Sequence, residues 1–213
     1  MTVKHHLSDE LLLGYASGNL TEGWSLAVAT HMALCPECRK RLAAAEAMGG
    51  AMFEAIEPAS VGGDALDAVF SRIDRSPIEE PTVRQRNPGQ DVTFPEPLRS
   101  YLPRELKWKW LGSARQIRIV TADKSTSCRL LRIPAGQPMP EHGHRGAELT
   151  LVLRGSFRDE HGVYARGDVE EADEDVEHQP VANEGEDCIC LAVTDAPLRL
   201  RGMAALLQPF LRV

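Results

Sequence analysis

The eight residues HMALCPEC, His31 to Cys38, restrict this chain more than any other stretch. On a helix, His31 and Cys35 stand four positions apart on one face, and Cys38 follows after a turn that Pro36 can open. One imidazole and two thiolates converging in this way suit a tetrahedral ion such as zinc. A fourth donor is then required. His5 and His6, on the chain entering the first helix, are the histidines within reach, and His6 is placed ahead of His5. A site closed by two histidines and two cysteines has no room for a substrate, so its part is to hold short helices together. Structural zinc supplies roughly 10–16 kcal/mol of apparent binding free energy, comparable to the whole stability of a small domain. The alternative is a helix start with two small buried cysteines and a surface histidine.

The five cysteines are an odd number, clustered as Cys35 and Cys38, a lone Cys128, then Cys188 and Cys190. That is no disulfide framework, and metal or redox chemistry is the better expectation. The start, MTVKHHLSDELLLGYASG, has one lysine and a short apolar run, which fits neither a signal peptide nor a membrane span. A cytoplasmic protein without membrane contact is expected. The formal charge of -7 argues against direct nucleic-acid binding, because phosphate contacts need a basic face. A protein or small-molecule partner fits better.

Texture divides the 213 residues in two. The first seventy-five are helical in pattern and rich in Ala, Leu and Glu. Ser8 and Asp9 can cap a helix carrying Leu11, Leu12 and Tyr15, ended by Gly18 and Asn19. A second helix starts at Thr21 and runs through Trp24 to His31, and a third starts at Pro36 with a weak point at Gly49-Gly50. Trp24, Met32, Met48 and Met52 fall at helical spacing and are expected in the core. A fourth helix, DALDAVFSRIDR, puts Leu66, Val69, Phe70 and Ile73 at i, i+3, i+4 and i+7 as one apolar stripe. Residues 77–97 hold five prolines and read as a linker or extended arm. From about Trp108, short runs such as RQIRIVTA, ELTLVLRGSF and CICLAVT between Gly, Pro and Asp turns predict a sandwich or barrel. The expected architecture is α + β in two domains: a small all-α zinc-binding domain over residues 1–85, a linker over 86–100, and an all-β domain over 101–213.

An N-terminal histidine followed by His-x3-Cys-x2-Cys between short helices resembles the zinc-binding anti-sigma domain. The resemblance covers about the first eighty residues. It implies binding to a sigma factor of the extracytoplasmic-function group, covering surfaces that factor needs for RNA polymerase, without contact to DNA. The fourth helix then has two readings: Leu66, Val69, Phe70 and Ile73 bury in a groove of the sigma factor, or they pack on the other three helices.

The second metal candidate lies in GQPMPEHGHRGAELTLVLRG, Gly136 to Gly155. His142 and His144 alternate onto one face of an extended chain, and Glu148 starts the next strand, so three donors can share one ion. The pattern Gly-x5-His-x-His-x3-Glu-x6-Gly resembles the first cupin motif at every position. His178 stands eleven residues after Gly167, where the second cupin motif carries its ligand, although Asp173 and Asp175 replace that motif's Pro and Gly. The resemblance implies a jelly-roll barrel with a metal on His142, His144, Glu148 and His178. Zinc is the first choice, and iron, manganese and nickel suit the same donors. Otherwise these histidines are polar turn residues.

Cys188 and Cys190 alternate onto one strand face, as oxidant-sensitive thiols or as plain packing residues. The acidic run from Asp168 to Glu177 is expected to be a solvated loop, and His161 a hairpin-turn residue. Joined in one chain, an anti-sigma zinc domain and a cupin domain resemble the ChrR type of anti-sigma factor. That type is linked to singlet-oxygen responses, with the helical domain sequestering the sigma factor and the cupin domain passing on a reactive-oxygen signal that releases it. No catalysis is expected. The competing class is a metal-dependent cupin enzyme of dioxygenase or isomerase type with an N-terminal zinc adaptor.

Overall fold

A computed structural model describes residues 2–75 and 94–200 of the chain. Residues 76–85 of the expected helical domain, 86–93 of the expected linker and 201–213 of the expected β domain lie outside the described residues. The helices are α1 (Asp9–Ala16), α2 (Glu22–Met32), α3 (Pro36–Glu54), α4 (Ala65–Arg75) and a short α5 (Glu96–Arg99). The strands are β1 (Lys109–Leu111), β2 (Ala114–Ile119), β3 (Ser127–Ile133), β4 (His142–Gly143), β5 (Glu148–Arg154) and β6 (Ser156–Arg158). They continue with β7 (Val163–Ala165), β8 (Val169–Ala172), β9 (Glu177–His178), β10 (Val181–Ala182), β11 (Cys188–Thr194) and β12 (Arg199–Leu200).

Local chemistry sets the helix boundaries. The Ser8 hydroxyl accepts the Leu11 N–H at 3.3 Å and caps α1, while Gly18 at φ +70° allows the chain to leave the helix. Cys35 is the N-cap of α3, its Sγ accepting the Cys38 N–H at 3.4 Å, and Pro36 fills the first turn. Gly49 and Gly50 do not interrupt α3, which runs through to Glu54.

The strands form a six-stranded sheet, β1-β2-β3-β11-β5-β8, and two three-stranded sheets, β10-β6-β7 and β12-β4-β9, with every pairing antiparallel. The expected all-β domain is present, but among the described residues its ladders form three separate sheets and do not join into the one closed barrel expected.

The large sheet is covered on both faces. Leu149, Leu151 and Leu153 of β5, Ile189, Leu191 and Val193 of β11, and Leu130 of β3 share one hydrophobic cluster with Leu12, Leu26, Val28 and Leu98 of the helices. The alternate residues Val152, Cys188, Cys190 and Ile133 pack with Phe157 and Tyr164 in a second cluster on the opposite face. This explains why β11 reads as a continuous apolar run: a strand buried on both sides has no polar alternation. Phe94 and Leu98, at the end of the expected linker, are buried in the first cluster. At Gly23 of α2 an added Cβ would stand 2.5 Å from Thr126 Oγ1 and 3.0 Å from Cys128 Sγ, so glycine lets the helix lie directly on the sheet. The Glu22 carboxylate extends the same contact, accepting the Tyr101 hydroxyl at 2.8 Å and the Ala122 N–H.

One core expectation requires correction. Met48 and Met52 are 65% and 73% exposed, because α3 projects past the helices it packs against, and Phe53 and Ile56 are exposed beside them. Of the two readings of the α4 stripe, packing on the other three helices is not what the fold shows: Leu66, Val69, Phe70 and Ile73 are exposed along its whole length. Among the described residues no helix is long and apolar enough to cross a membrane.

Candidate metal centres

The first centre joins the entry of α1 to the α2–α3 corner. His31 comes from the last turn of α2, Cys35 from the cap of α3, Cys38 from its first turn, and His6 from the extended chain before α1. One donor atom from each of these four lies within 4.8 Å of all the others. His6 Nδ1 stands 3.3 Å from Cys35 Sγ and 3.6 Å from Cys38 Sγ. His5 is placed elsewhere: its ring rests on Tyr164 with centroids 4.5 Å apart, and its Nδ1 is 3.6 Å from Asp168.

Charge and burial fit a cation there. His31 is fully buried with neither ring nitrogen hydrogen-bonded, and burial pushes its pKa down to about 4, leaving a neutral imidazole with a lone pair to give. Burial raises the Cys38 thiol as well, so two thiols and an orphaned ring share a pocket that a divalent ion would satisfy. The Arg41 guanidinium lies 3.9 Å from Cys38 Sγ and donates to the Leu7 carbonyl at 2.8 Å, adding positive charge beside the thiols.

The second centre lies inside the β domain. Strands β4 and β9 pair His142 directly with His178, and His144 follows two residues along. The His178 Nε2 is 3.1 Å from His142 Nε2 and 3.3 Å from His144 Nε2. Burial pushes both His142 and His144 down, so their ring nitrogens are bare donors facing one another. The three Nε2 atoms converge on His178, a spacing that one metal ion can bridge. Glu148 stands to one side, its Oε2 at 3.7 Å from His144 Nδ1 and its Oε1 accepting the Thr150 hydroxyl at 2.9 Å. It borders, with His142 and His178, a cavity of about 100 Å³ whose other walls include Leu131, Ile133, Met139 and Phe157.

His178 is held by carboxyls that sequence reading passed over. Its Nδ1 lies 2.9 Å from Asp159 Oδ2 and 3.1 Å from Glu170 Oε1, both buried. Burial opposes a charged His178 ring, but Glu170 and Asp159 outweigh it and push the pKa up to about 9. Burial pushes Glu170 up to about 7. For Asp159 burial is outweighed by bonds to Glu170, His178 and the N–H groups of His161 and Gly162, which hold it down to about 2. Carboxyls on the far nitrogen of a ligating histidine fix its tautomer and orientation.

The expected solvated run is therefore corrected in part: Asp168, just before β8, is buried under the N–H groups of Lys4, His5 and Ala165, and Glu170 of β8 is buried against His178. Cys188 and Cys190 are also buried, and the bond to Cys188 together with burial pushes the Cys190 thiol well above its usual range.

Comparison with known proteins decides the family. Residues 101–197 match the model of the ChrR Cupin-like domain. Over the full length of both chains the protein is 46% identical to the anti-sigma-E factor ChrR of Cereibacter sphaeroides. The chain belongs to the ChrR family of anti-sigma factors. A chain of the crystal structure of Rhodobacter sphaeroides SigE in complex with the anti-sigma ChrR is similar with a TM-score of 0.77 at 44% identity, over 91% of this chain and 99% of that one. The likeness of the ChrR family thus spans both the helical unit and the cupin-like unit.

Proposed function

We propose that this protein is a cytoplasmic anti-sigma factor that binds and inhibits an extracytoplasmic-function sigma factor and releases it under reactive-oxygen stress, singlet oxygen in particular. The observation that carries the reading is the end-to-end identity of 46% with an anti-sigma-E factor. In this reading zinc, held by His6, His31, Cys35 and Cys38, folds the helical domain of residues 1–85. The exposed stripe of Leu66, Val69, Phe70 and Ile73 supplies apolar surface for the partner. Beyond the linker of residues 86–100, the domain of residues 101–213 holds zinc or another divalent transition metal on His142, His144 and His178, with Glu148 as a further ligand. The bound ion would supply positive charge and a fixed junction among these side chains, and it is the junction that an oxidant disturbs. Burial of both side chains, and the raised thiol of Cys190, favour packing as the role of Cys188 and Cys190.

A regulator matched over its whole length also separates this reading from a metal-dependent enzyme built on the same fold. The test is co-expression of the full chain with each small sigma factor of its source organism. One of them should co-purify and lose its transcription activity in the complex, then recover it after singlet-oxygen exposure. Failure of every such factor to bind overturns the proposal.

A further inference from the structure

The chain before α1 runs beside strand β8 of the cupin-like domain. Lys4 and His5 both donate their backbone N–H groups to Asp168 Oδ1, at 2.6 and 3.0 Å. The Val169 N–H donates to the His5 carbonyl at 3.3 Å, and Glu171 Oε1 accepts the Ser8 N–H at 2.7 Å. Val3 lies against Gly167, where φ is +96° and an added Cβ would stand 2.8 Å from Val3 Cγ2. His6 lies between these anchors.

The donors of the helical metal centre therefore have different supports. His31, Cys35 and Cys38 belong to α2, its corner and α3, and their spacing is set by helix geometry. His6 has no helix under it. On its C-terminal side Leu7 is buried and its carbonyl is tied to Arg41. On its N-terminal side every hydrogen bond named above comes from the β domain, and most converge on one carboxylate. Asp168 is well made for this: it is 2% exposed, its second oxygen accepts the Ala165 N–H at 2.9 Å, and so the side chain has little freedom. Two backbone N–H groups on one buried carboxylate oxygen are charge-assisted bonds, stronger than neutral ones.

We propose that Asp168 is a positioning residue for His6, so that the cupin-like domain sets the fourth donor of the helical metal centre and with it the grip on the ion. This rests on the reading of that centre as a zinc site. A partner bonded to the ligand ring itself is worth roughly 10–100-fold in metal affinity, and Asp168, which holds the backbone just before His6 and not its ring, acts at the lower end of that range. The neighbouring domain thereby controls a site to which it contributes no ligand.

The test uses the full chain titrated with Co²⁺, whose thiolate charge-transfer band reports the cysteine centre alone, since the imidazole centre has no sulfur donor. Asp168→Ala should weaken the cobalt held at the thiolates by roughly 10-fold, the lower end of what a direct partner of the ligand is worth, and alter its visible spectrum. Asp168→Asn keeps one oxygen acceptor for the Lys4 and His5 N–H groups but turns an amide NH₂ toward the Ala165 N–H, so it should recover part of the affinity lost in Asp168→Ala. Lys4→Pro removes one of those donors while leaving every cupin-like side chain in place, and should act in the same direction as Asp168→Ala. If Asp168→Ala does not fold, Lys4→Pro decides. Wild-type affinity and spectrum in both Asp168→Ala and Lys4→Pro overturn the inference, as does an Asp168→Asn chain as weak as the alanine variant. Absence of a thiolate band in the wild-type chain overturns the zinc reading itself.

Discussion

His142 and His178 face each other across β4 and β9 with their Nε2 atoms 3.1 Å apart, and the far side of His178 is bonded to Glu170. The His178→Ala chain should therefore lose the metal of the imidazole centre and keep the metal of the thiolate centre. Glu170→Gln should retain that ion with roughly 10–100-fold lower affinity, since the ring loses a carboxyl partner but keeps its own donor. Metal analysis after equilibrium with a chelator measures both, and an unchanged content in His178→Ala would refute the ligand assignment.

Val69 and Phe70 are 51% and 55% exposed, so their replacement by Asp disturbs little in the free chain. The double variant should unfold within about 0.5 kcal/mol of the wild type. Sigma-factor binding should weaken by about 2 kcal/mol or more, the size expected when central apolar anchors are lost. Denaturant melts and a binding titration on the same samples check the two halves. Unchanged affinity would remove α4 from the interface.

Alanine is the better helix former, yet Gly23→Ala should destabilise the chain. Its Cβ meets Thr126 Oγ1 at 2.5 Å, a short β-branched side chain with little room to turn. Crowding of this kind costs about 1–3 kcal/mol, more than the gain of about 1 kcal/mol in propensity. Equilibrium unfolding would expose the opposite sign if α2 were not seated on the sheet.

Asp187 joins β3 to the loop before β11: its Oδ2 lies 2.7 Å from the Arg132 guanidinium, and its Oδ1 accepts the Ala135 N–H at 3.2 Å. The Arg132 bond is the main cause holding the Asp187 pKa below its usual range. A carboxylate depressed in the folded state stabilises fully above its unfolded pKa and loses that contribution as pH falls through the folded value. Both groups are partly exposed, so the contribution is about 1 kcal/mol or less. Stability curves of the wild type and Asp187→Asn should differ near neutral pH and converge in acid, and a gap that widens in acid would contradict the sign.

The two clusters of candidate metal donors were legible because close spacing carries geometry: one turn of chain between His31 and Cys35, whose N–H closes on the His31 carbonyl at 2.9 Å, and two residues of extended chain between His142 and His144. Burial was less legible. Helical spacing marks Met48 and Met52 as apolar partners of something but does not say whether the covering surface belongs to the same chain. The acidic run misled because the partners that bury its members are remote in sequence: the N-terminal chain covers Asp168, and His178 receives Glu170. Asp159 lay beyond sequence reasoning, since only the hairpin of β6 and β7 brings it to His178, nineteen residues away. The shared cluster between helices and sheet was equally hidden, although β11, apolar at nearly every position, carried its trace.

Because β11 and β5 are walled in on either side, residue parity becomes a genetic tool. Odd positions such as Leu151 and Leu191 point to the helices, even ones such as Val152 and Cys190 to the opposite interior. A substitution scan along these strands would read as a two-tone ladder, one set of rungs loosening the grip between the units and the other reshaping the hollow beside the imidazoles.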